Sequence, residues 1–255
     1  MTTDIQGMAK ALDAAARGAQ AIAQFSDTTS FTVDEAYRIQ RASMQRRYDD
    51  GERMIGLKLG FTSRAKMQQM GVDSLIWGWL TDAMLVDDGG QAELARYVHP
   101  RAEPEVCFLV GRDIERPLTQ LEAAQYLDAV APAIEIIDSR YANFKFTLED
   151  VVADNCSSSG LVVGPWSTDF SMLGNAGTVL RRDGDIVQAG STAAILGHPL
   201  RTVVQASQLL AAAGLTLPAG SLIMAGAATA AEALTSGSHI EVDVNGLGGC
   251  GFNCV

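Results

Sequence analysis

The chain has 255 residues, enough for one large domain or for a core domain with a small appendage. Its formal net charge of −11 argues against nucleic acids and anionic membrane surfaces as partners, because both are themselves negatively charged. The chain does not open with a basic and apolar leader, and no apolar run reaches the roughly 20 residues that span a bilayer, so we expect a cytoplasmic protein.

The first part of the chain is predicted to be helical. Alanine, the residue with the highest helix propensity, is abundant from Ala9 to Ala23. Thr32 followed by Glu35 has the spacing of a capping box and predicts the start of a second helix. We therefore predict a helical N-terminal subdomain over residues 1–52.

From Met54 onward, short apolar runs lie between Gly, Asp and Pro residues, which is typical of strands joined by turns. The predicted strands are Met54–Leu59, Glu105–Val110, Ala133–Ile137, Leu161–Val163, Ser221–Met224 and His239–Val244. Helices are predicted over Ser63–Met70, from Thr119 to about Val130 and from Pro199 to Gly214, and Asp183–Gly184 predicts a hairpin turn. Because helices and strands do not alternate regularly, we expect an α+β fold with a mixed sheet over residues 53–255.

Two carboxylates flank Pro104 at the start of a predicted strand. Residues i and i+2 of a strand point to the same side, so Glu103 and Glu105 would lie side by side and repel one another unless a cation bound between them. Pro104 cannot donate a backbone hydrogen bond, which predicts an edge or a mouth of the sheet. The alternative is a solvated edge with two unengaged acids.

Glu135 interrupts the apolar run of residues 132–137, where an unpaired buried acid would be costly. It must therefore reach water, a metal or a base. The structural alternative to a metal is an ion pair of Arg140 with either Glu135 or Asp138. Three carboxylates together would offer only oxygen ligands, which favours Mg²⁺ or Mn²⁺ over zinc, and the three histidines lie far apart in the sequence.

Lys58 stands between two leucines in a strand that is bounded by glycines. A lysine on such a strand could donate or accept a proton if partial burial lowered its pKa. The alternative is a lysine that extends into solvent.

Two polar turns and two cysteines complete the features that could carry chemistry. The loop of residues 154–160 is rich in serine, and Gly226–Thr229 follows a predicted strand, so each could contact a ligand or be an ordinary turn. Cys250 and Cys254 do not have the spacing of a redox or zinc pair, so we expect structural thiols.

Four segments, taken in their order and spacing, resemble the fumarylacetoacetate hydrolase superfamily. They are Gly56–Ser63, Glu103–Glu105, Pro132–Arg140 and Val152–Asn155. The similarity extends from about Met54 to Phe252 and is greatest to the branch of 2-oxopent-4-enoate hydratases and 4-oxalocrotonate decarboxylases. It implies a mixed β-sheet roll of the family's C-terminal type, with residues 53–255 as the catalytic domain and a helical N-terminal appendage.

The resemblance also implies roles for individual residues. Glu103, Glu105 and Glu135 match the positions that ligate Mg²⁺ or Mn²⁺ in the family. Lys58 matches the lysine implicated in proton transfer, and Asp82 is the nearest match to a second, acidic catalytic residue.

Four further residues are expected to bind substrate. By the resemblance, Ser159 and Thr229 contact the substrate, although Ala227 stands where relatives often carry a second glycine. Arg64 or Arg140 could hold the second carboxylate of a dicarboxylic substrate. The segments around these two arginines, residues 63–72 and 139–146, resemble the decarboxylases more than the hydratases.

The resemblance therefore implies decarboxylation of 4-oxalocrotonate, a small 2-oxo acid of meta-cleavage aromatic degradation, to CO₂ and 2-hydroxypenta-2,4-dienoate. In this hypothesis a cation stabilises charge on the 2-oxygen, and Lys58 or a water handles the proton. Hydration of 2-oxopent-4-enoate is one alternative, and a non-catalytic partner subunit is another. A homo-oligomer and a complex with the pathway hydratase are also implied.

Overall fold

The computed structural model describes residues 3–63 and 75–255. The predicted helix over Ser63–Met70, apart from its first residue, and the predicted substrate contact Arg64 lie outside the described residues. Within them, no helix combines the length and the apolar character that crossing a membrane requires.

Four α-helices are described: α1 Ile5–Arg17, α2 Val33–Asp49, α3 Leu148–Ala153 and α4 Leu200–Ala212. The predicted capping box at α2 is present, because the Thr32 side chain accepts from Glu35 N and the Glu35 carboxylate accepts from Thr32 N at 2.8 Å. Helix α4 also follows its sequence signals, beginning after Pro199 and ending just before Gly214, which has a φ of 68°.

The strands form two sheets. Described are β1 Met54–Gly60, β2 Ile76–Thr81, β3 Gln91–Ala92, β4 Arg101–Val110, β5 Leu127–Ile137, β6 Ser158–Val163, β7 Gly177–Arg182, β8 Asp185–Ser191, β9 Leu222–Met224, β10 Glu232–Ala233, β11 His239–Val244 and β12 Gly248–Cys254. The larger sheet has the order β2-β1-β9-β4-β5-β6, with β10 beside β4, and the smaller has the order β3-β12-β11-β7-β8. Each sheet contains parallel and antiparallel pairs, which confirms the predicted α+β fold with mixed sheets.

The larger sheet curls toward closure. Its outer strands are β2 and β6, yet Leu85, just beyond β2, forms a bridge with Leu161 of β6, and Val86 N donates to Leu161 O at 2.9 Å. Side chains on the concave side therefore converge from strands that are distant in the sheet order.

One predicted helix is wrong. Only half of the expected capping box is present: the Glu122 carboxylate accepts from Thr119 N at 2.9 Å and from the Thr119 hydroxyl at 2.7 Å, but Glu122 N donates to the Thr119 carbonyl oxygen at 3.1 Å. However, only a short 3₁₀ helix over Ala123–Tyr126 follows, and β5 begins at Leu127. The apolar residues after Leu127 are buried in the centre of the sheet, and this burial outweighs the local helix signal.

The N-terminal helices share a hydrophobic cluster with the sheet region. Leu12 of α1 and Ile39 of α2 pack in one buried cluster with Ile76 at the start of β2, and with Tyr141 and Val152. The division at residues 52 and 53 stays a prediction of the sequence, and the helices are not separated from the sheets by an independent core.

Candidate metal centre

Three buried carboxylates meet on the concave side of the larger sheet. Glu103 of β4 lies directly opposite Glu135 of β5, and Glu105 follows two residues later on the same side of β4. One oxygen from each residue can be chosen so that all three lie within 4.8 Å of one another. We call Glu103, Glu105 and Glu135 the carboxylate cluster.

The pairing of β4 is interrupted beside Pro104, between the two glutamates that β4 contributes to the cluster. Strand β4 pairs with β9 from Cys107 to Leu109 and with β10 at Arg101 and Ala102, which leaves a gap beside Pro104. The turn after β9 fills this gap, and Ala228 N donates to Pro104 O at 2.8 Å. The predicted interruption of the sheet at Pro104 is thus present, as an internal gap and not as a free edge.

The same turn holds one of the acids. Gly226 N donates to Glu105 Oε2 at 2.7 Å. Gly226 has a φ of 102°, and a Cβ at this position would overlap the Thr62 side chain. Only glycine lets the backbone N–H approach Glu105 in this conformation.

Lys58 completes the centre from the other side of the curled sheet. Its strand, β1, is the third neighbour of β5, which in a flat sheet would place the two strands about 14 Å apart. Lys58 Nζ nevertheless lies 3.1 Å from Glu135 Oε1 and donates to Oε2 at 3.3 Å. Glu135 therefore pairs with Lys58, and neither predicted alternative pair of Arg140, with Glu135 or with Asp138, is formed.

Burial and like charge perturb the titration of these groups. Burial, together with repulsion from Glu135 and Glu103, raises the pKa of Glu105 well above its ordinary value. Burial also raises the pKa of Glu135, although Lys58 opposes the shift. Burial acts to lower the pKa of Lys58, but the neighbouring carboxylates, Glu135 above all, leave it raised. In the absence of a metal, the shift of the Lys58 pKa is therefore opposite to the lowering considered from the sequence, because the acids around Lys58 outweigh desolvation.

The donor set fits a divalent cation. Glu105 Oε1 is buried without a hydrogen-bond partner in the described structure, and such an orphaned carboxylate oxygen is costly unless a cation or proton binds it. All three side chains offer hard oxygen ligands, which Mg²⁺ and Mn²⁺ prefer. A cation would also relieve the repulsion that raises the pKa of Glu105.

A strained turn covers the strand beside Lys58. Asn155, Cys156 and Ser157 have φ values of 47°, 53° and 60°, the left-handed region that non-glycine residues rarely adopt. The turn lies against Gly78, the residue opposite Lys58 in β2, where a Cβ would overlap the carbonyl oxygen of Asn155.

Side-chain hydrogen bonds hold this turn in place. The Asn155 amide accepts from Trp79 N at 2.8 Å and donates to Trp79 O at 2.9 Å. Gln40 of α2 donates to Trp77 O at 3.0 Å and to Val152 O at 3.1 Å. Helix α2 thereby supports β2, the strand paired with the strand that carries Lys58.

Asp82 is not brought to the carboxylate cluster. It lies four residues beyond Gly78, a distance of about 13 Å along a strand. Its carboxylate accepts from Arg53 N and Arg53 Nε, each at 2.9 Å. Its catalytic role stays a prediction for which this geometry gives no support.

Arg140 and Ser159 are brought together, but on a different cavity. Arg140 is buried, pairs with Asp154 and donates from Nη1 to Ser159 Oγ at 2.6 Å. Both line a cavity whose described walls include no member of the carboxylate cluster. Thr229 is half-buried in the turn that binds Glu105 and donates to Ala230 O at 2.9 Å. Substrate contact by these three residues stays a prediction.

Sequence reasoning missed three contributors to the centre. No local sequence pattern predicts the roles of the Gly226 backbone N–H, the turn at Cys156 or the Gln40 amide. The nearest signals were the polar loops at residues 154–160 and 226–229, which were recognised as possible ligand contacts but not as supports for acids and strands. All four cysteines are buried free thiols, including Cys250 and Cys254.

Comparison with known proteins shows which family the chain belongs to. Residues 57–254 match the family model for the fumarylacetoacetate (FAA) hydrolase C-terminal domain. A 4-oxalocrotonate decarboxylase of a Pseudomonas species is 52% identical over 98% of this chain and 97% of its own. A 2-keto-4-pentenoate hydratase of Paraburkholderia xenovorans is 38% identical over 94% of this chain and 91% of its own.

A solved structure extends the similarity to the whole fold. A 4-oxalocrotonate decarboxylase from Pseudomonas putida G7, complexed with magnesium and adipate, superposes with a TM-score of 0.96 at 35% identity, covering 100% of this chain and 99% of that one. With the family model spanning most of the chain, these similarities show that the protein belongs to the fumarylacetoacetate hydrolase family.

Proposed function

We propose that this protein is a divalent-metal-dependent lyase that decarboxylates 4-oxalocrotonate to CO₂ and 2-hydroxypenta-2,4-dienoate, a step of meta-cleavage aromatic degradation. The observation that carries the proposal is the buried carboxylate cluster with Lys58 Nζ 3.1 Å from Glu135. The 52% identity to a 4-oxalocrotonate decarboxylase over nearly the full length of both chains supports the choice of reaction.

We propose Mg²⁺, or Mn²⁺, as the cofactor, held by Glu103, Glu105 and Glu135. The donors are three carboxylates, and a related decarboxylase structure is complexed with magnesium. When bound, the cation supplies a Lewis acid for the 2-oxygen of the substrate. The Gly226 N–H orients Glu105, leaving its other oxygen free to face the cation.

We assign Lys58 the role of donating a proton to the 2-oxygen of the substrate. Loss of the distal carboxylate as CO₂ moves the electrons of the broken C–C bond into the conjugated chain, and the 2-oxygen gains a proton to give the hydroxyl of the product. Lys58 Nζ lies 3.1 Å from Glu135 Oε1, whose negative charge favours the ammonium form of the lysine, and we assign Lys58 as the proton donor. Its burial keeps competing water away from this proton.

Hydration of 2-oxopent-4-enoate is the second candidate. It is favoured by the 38% identity to a hydratase over 94% of this chain. A metal-holding carboxylate cluster and a protonated lysine serve either reaction, so the cluster does not separate the two. A non-catalytic partner of the hydratase, a homo-oligomer and a cytoplasmic location stay predictions.

Turnover assays separate these proposals. The protein is incubated with 4-oxalocrotonate and Mg²⁺, with and without chelator, and CO₂ release is followed together with the ultraviolet absorbance of the dienoate. We expect metal-dependent CO₂ release. Hydration of 2-oxopent-4-enoate without CO₂ release from 4-oxalocrotonate would establish the hydratase instead. Metal binding without turnover of either substrate would favour the partner subunit.

A further inference from the structure

One side-chain amide joins the two outer strands of the larger sheet. Among the described strands, β2 pairs only with β1, and on its other side Trp79 pairs with the side chain of Asn155. The Asn155 amide accepts from Trp79 N at 2.8 Å and donates to Trp79 O at 2.9 Å, the two bonds that a residue of a neighbouring strand would make. Asn155 shortly precedes Ser158, where β6 begins. It therefore connects the outer edge of β2 to the start of β6.

This connection closes the end of the sheet that lies near Lys58. The bridge made by Leu85 joins the same two edges, but it lies beyond the end of β2, well past Gly78, the residue paired with Lys58. Trp79 directly follows Gly78, so Asn155 makes its two bonds beside the partner of Lys58. The two contacts therefore hold the edges together at different places, and Asn155 makes the one nearer the lysine.

The turn that carries Asn155 also lies on the Lys58 side of the sheet. Cross-strand partners point their side chains to the same side, and a Cβ at Gly78 would overlap the Asn155 carbonyl oxygen. The turn therefore fills the space beside the Lys58 side chain that a residue larger than glycine would occupy. The Cys156 thiol adds a bond to Trp77 O at 3.1 Å, which fastens the same turn to β2.

Lys58 depends on this closure because it reaches Glu135 across the curl. Strands β1 and β5 are third neighbours, about 14 Å apart in a flat sheet, yet Lys58 Nζ lies 3.1 Å from Glu135 Oε1. Opening the gap between β2 and β6 would flatten the sheet and move Lys58 away from β5. We propose that Asn155 is a positioning residue, whose amide closes the curled sheet and thereby holds Lys58 within reach of Glu135 and of the substrate. The part that concerns the substrate rests on the proposed decarboxylation.

Turnover by Asn155→Gly tests the proposal. Glycine removes the amide and tolerates the φ of 47° at this position. We expect kcat for CO₂ release to fall about 10- to 100-fold, because a small displacement of the proton donor has an effect of this size. KM and the affinity for Mg²⁺ should stay near the wild-type values, since the carboxylate cluster belongs to β4 and β5. In the Lys58→Met background, Asn155→Gly should reduce kcat no further, because Asn155 acts through Lys58.

Chemical labelling of Lys58 tests the same positioning without turnover. The Mg²⁺-loaded protein is treated with an amine-acylating reagent, and modification is followed by peptide mass spectrometry, with exposed Lys10 as the internal reference. Lys58 should be labelled about 10-fold faster in Asn155→Gly than in the wild type, because losing two hydrogen bonds favours local opening by roughly this factor. Asn245→Gly, at an exposed asparagine between β11 and β12, is the matched control and should change neither kcat nor this labelling.

These outcomes separate the role of Asn155 from the proposed function. A wild type that does not decarboxylate 4-oxalocrotonate refutes the proposed function, whereas labelling still decides whether Asn155 holds Lys58. Unchanged labelling of Lys58 in Asn155→Gly overturns the positioning role, as does an unchanged kcat where the wild type is active. An equal further loss of kcat in the Lys58→Met background, or a matching loss of Mg²⁺ affinity, indicates general disruption and also overturns it. Asn155→Ser provides the same comparisons if the glycine variant does not fold.

Discussion

Lys58 and Glu135 form an ion pair that is almost completely buried. Such a pair contributes little net stability, since the cost of removing two charges from water offsets their attraction, whereas losing one partner leaves the other uncompensated. The pair is better explained by what it does for the centre, which is to fix one carboxylate of the cluster and to keep the lysine protonated.

Replacing Lys58 tests this role. Lys58→Met should reduce the rate of CO₂ release by at least about 100-fold, the usual contribution of a positioned proton donor. Lys10→Met, which removes an exposed lysine on α1, is the matched control and should retain the wild-type rate. Near-normal turnover by a folded Lys58→Met protein, judged by circular dichroism, would remove the proton role.

Metal affinity should depend on pH because the pKa of Glu105 is raised. Without metal, Glu105 stays protonated at pH values above 4.5, its ordinary pKa. The contribution of this protonated carboxyl to the free energy of unfolding is lost as pH rises through the raised pKa. Metal binding must displace the proton, so affinity for Mg²⁺ should rise with pH over the same window. Titration calorimetry in two buffers of different ionisation enthalpy should detect proton release below the raised pKa. Constant affinity without proton release would contradict this.

The positions and properties of single site residues could be predicted from the sequence to different extents. Glu103 and Glu105 were predictable as neighbours because strand geometry alone puts residues i and i+2 on one side. The direction of the pKa shift of Lys58 was not predictable, because it depends on acids from two other strands that only the curled sheet brings near. Asp82 was chosen by family resemblance, and its contact with Arg53 could not be read from the sequence.

At the scale of elements, the turn at residues 155–157 depends on a glycine in the neighbouring strand. Gly78→Ala should force the Asn155 carbonyl away from β2, at a cost of about 1–3 kcal/mol, and should lower both the melting temperature and the rate of CO₂ release. Gly177→Ala is a matched control, because at this strand glycine no atom lies within 4 Å of the position that a Cβ would occupy. Equal melting temperatures for both variants and the wild type would contradict the close approach.

Elements with strong local signals were predicted well. The hairpin of β7 and β8 turns at Asp183 and Gly184, which have φ values of 55° and 88° and thus provide the left-handed conformations that a tight hairpin needs. The helix expected after Thr119 was wrong because its apolar residues fit a central strand equally well, and long-range pairing with β4 decided between them. No local pattern predicts the turn at residues 155–157, since its backbone conformation is maintained by contacts with β2 and α2.

For the whole molecule, the shared hydrophobic cluster predicts cooperative unfolding. Residues of α1 and α2 are buried together with Ile76 and Val152, so separating the helices from the sheet region would expose apolar surface on both. Differential scanning calorimetry of the full chain should therefore show one transition, with its calorimetric enthalpy equal to the van't Hoff enthalpy. Two resolved transitions would show instead that residues 1–52 are an independent subdomain.

The register of β4 and β5, in which Glu103 and Glu135 are cross-strand neighbours, has a consequence for folding. Sliding β5 past β4 by a single residue would turn Glu135 to the opposite side of the sheet, and the three acids would no longer converge. High-affinity capture of a divalent ion therefore requires these two strands to have found their native alignment. During refolding, a fluorescent reporter of free metal could time that event separately from the gain of overall secondary structure.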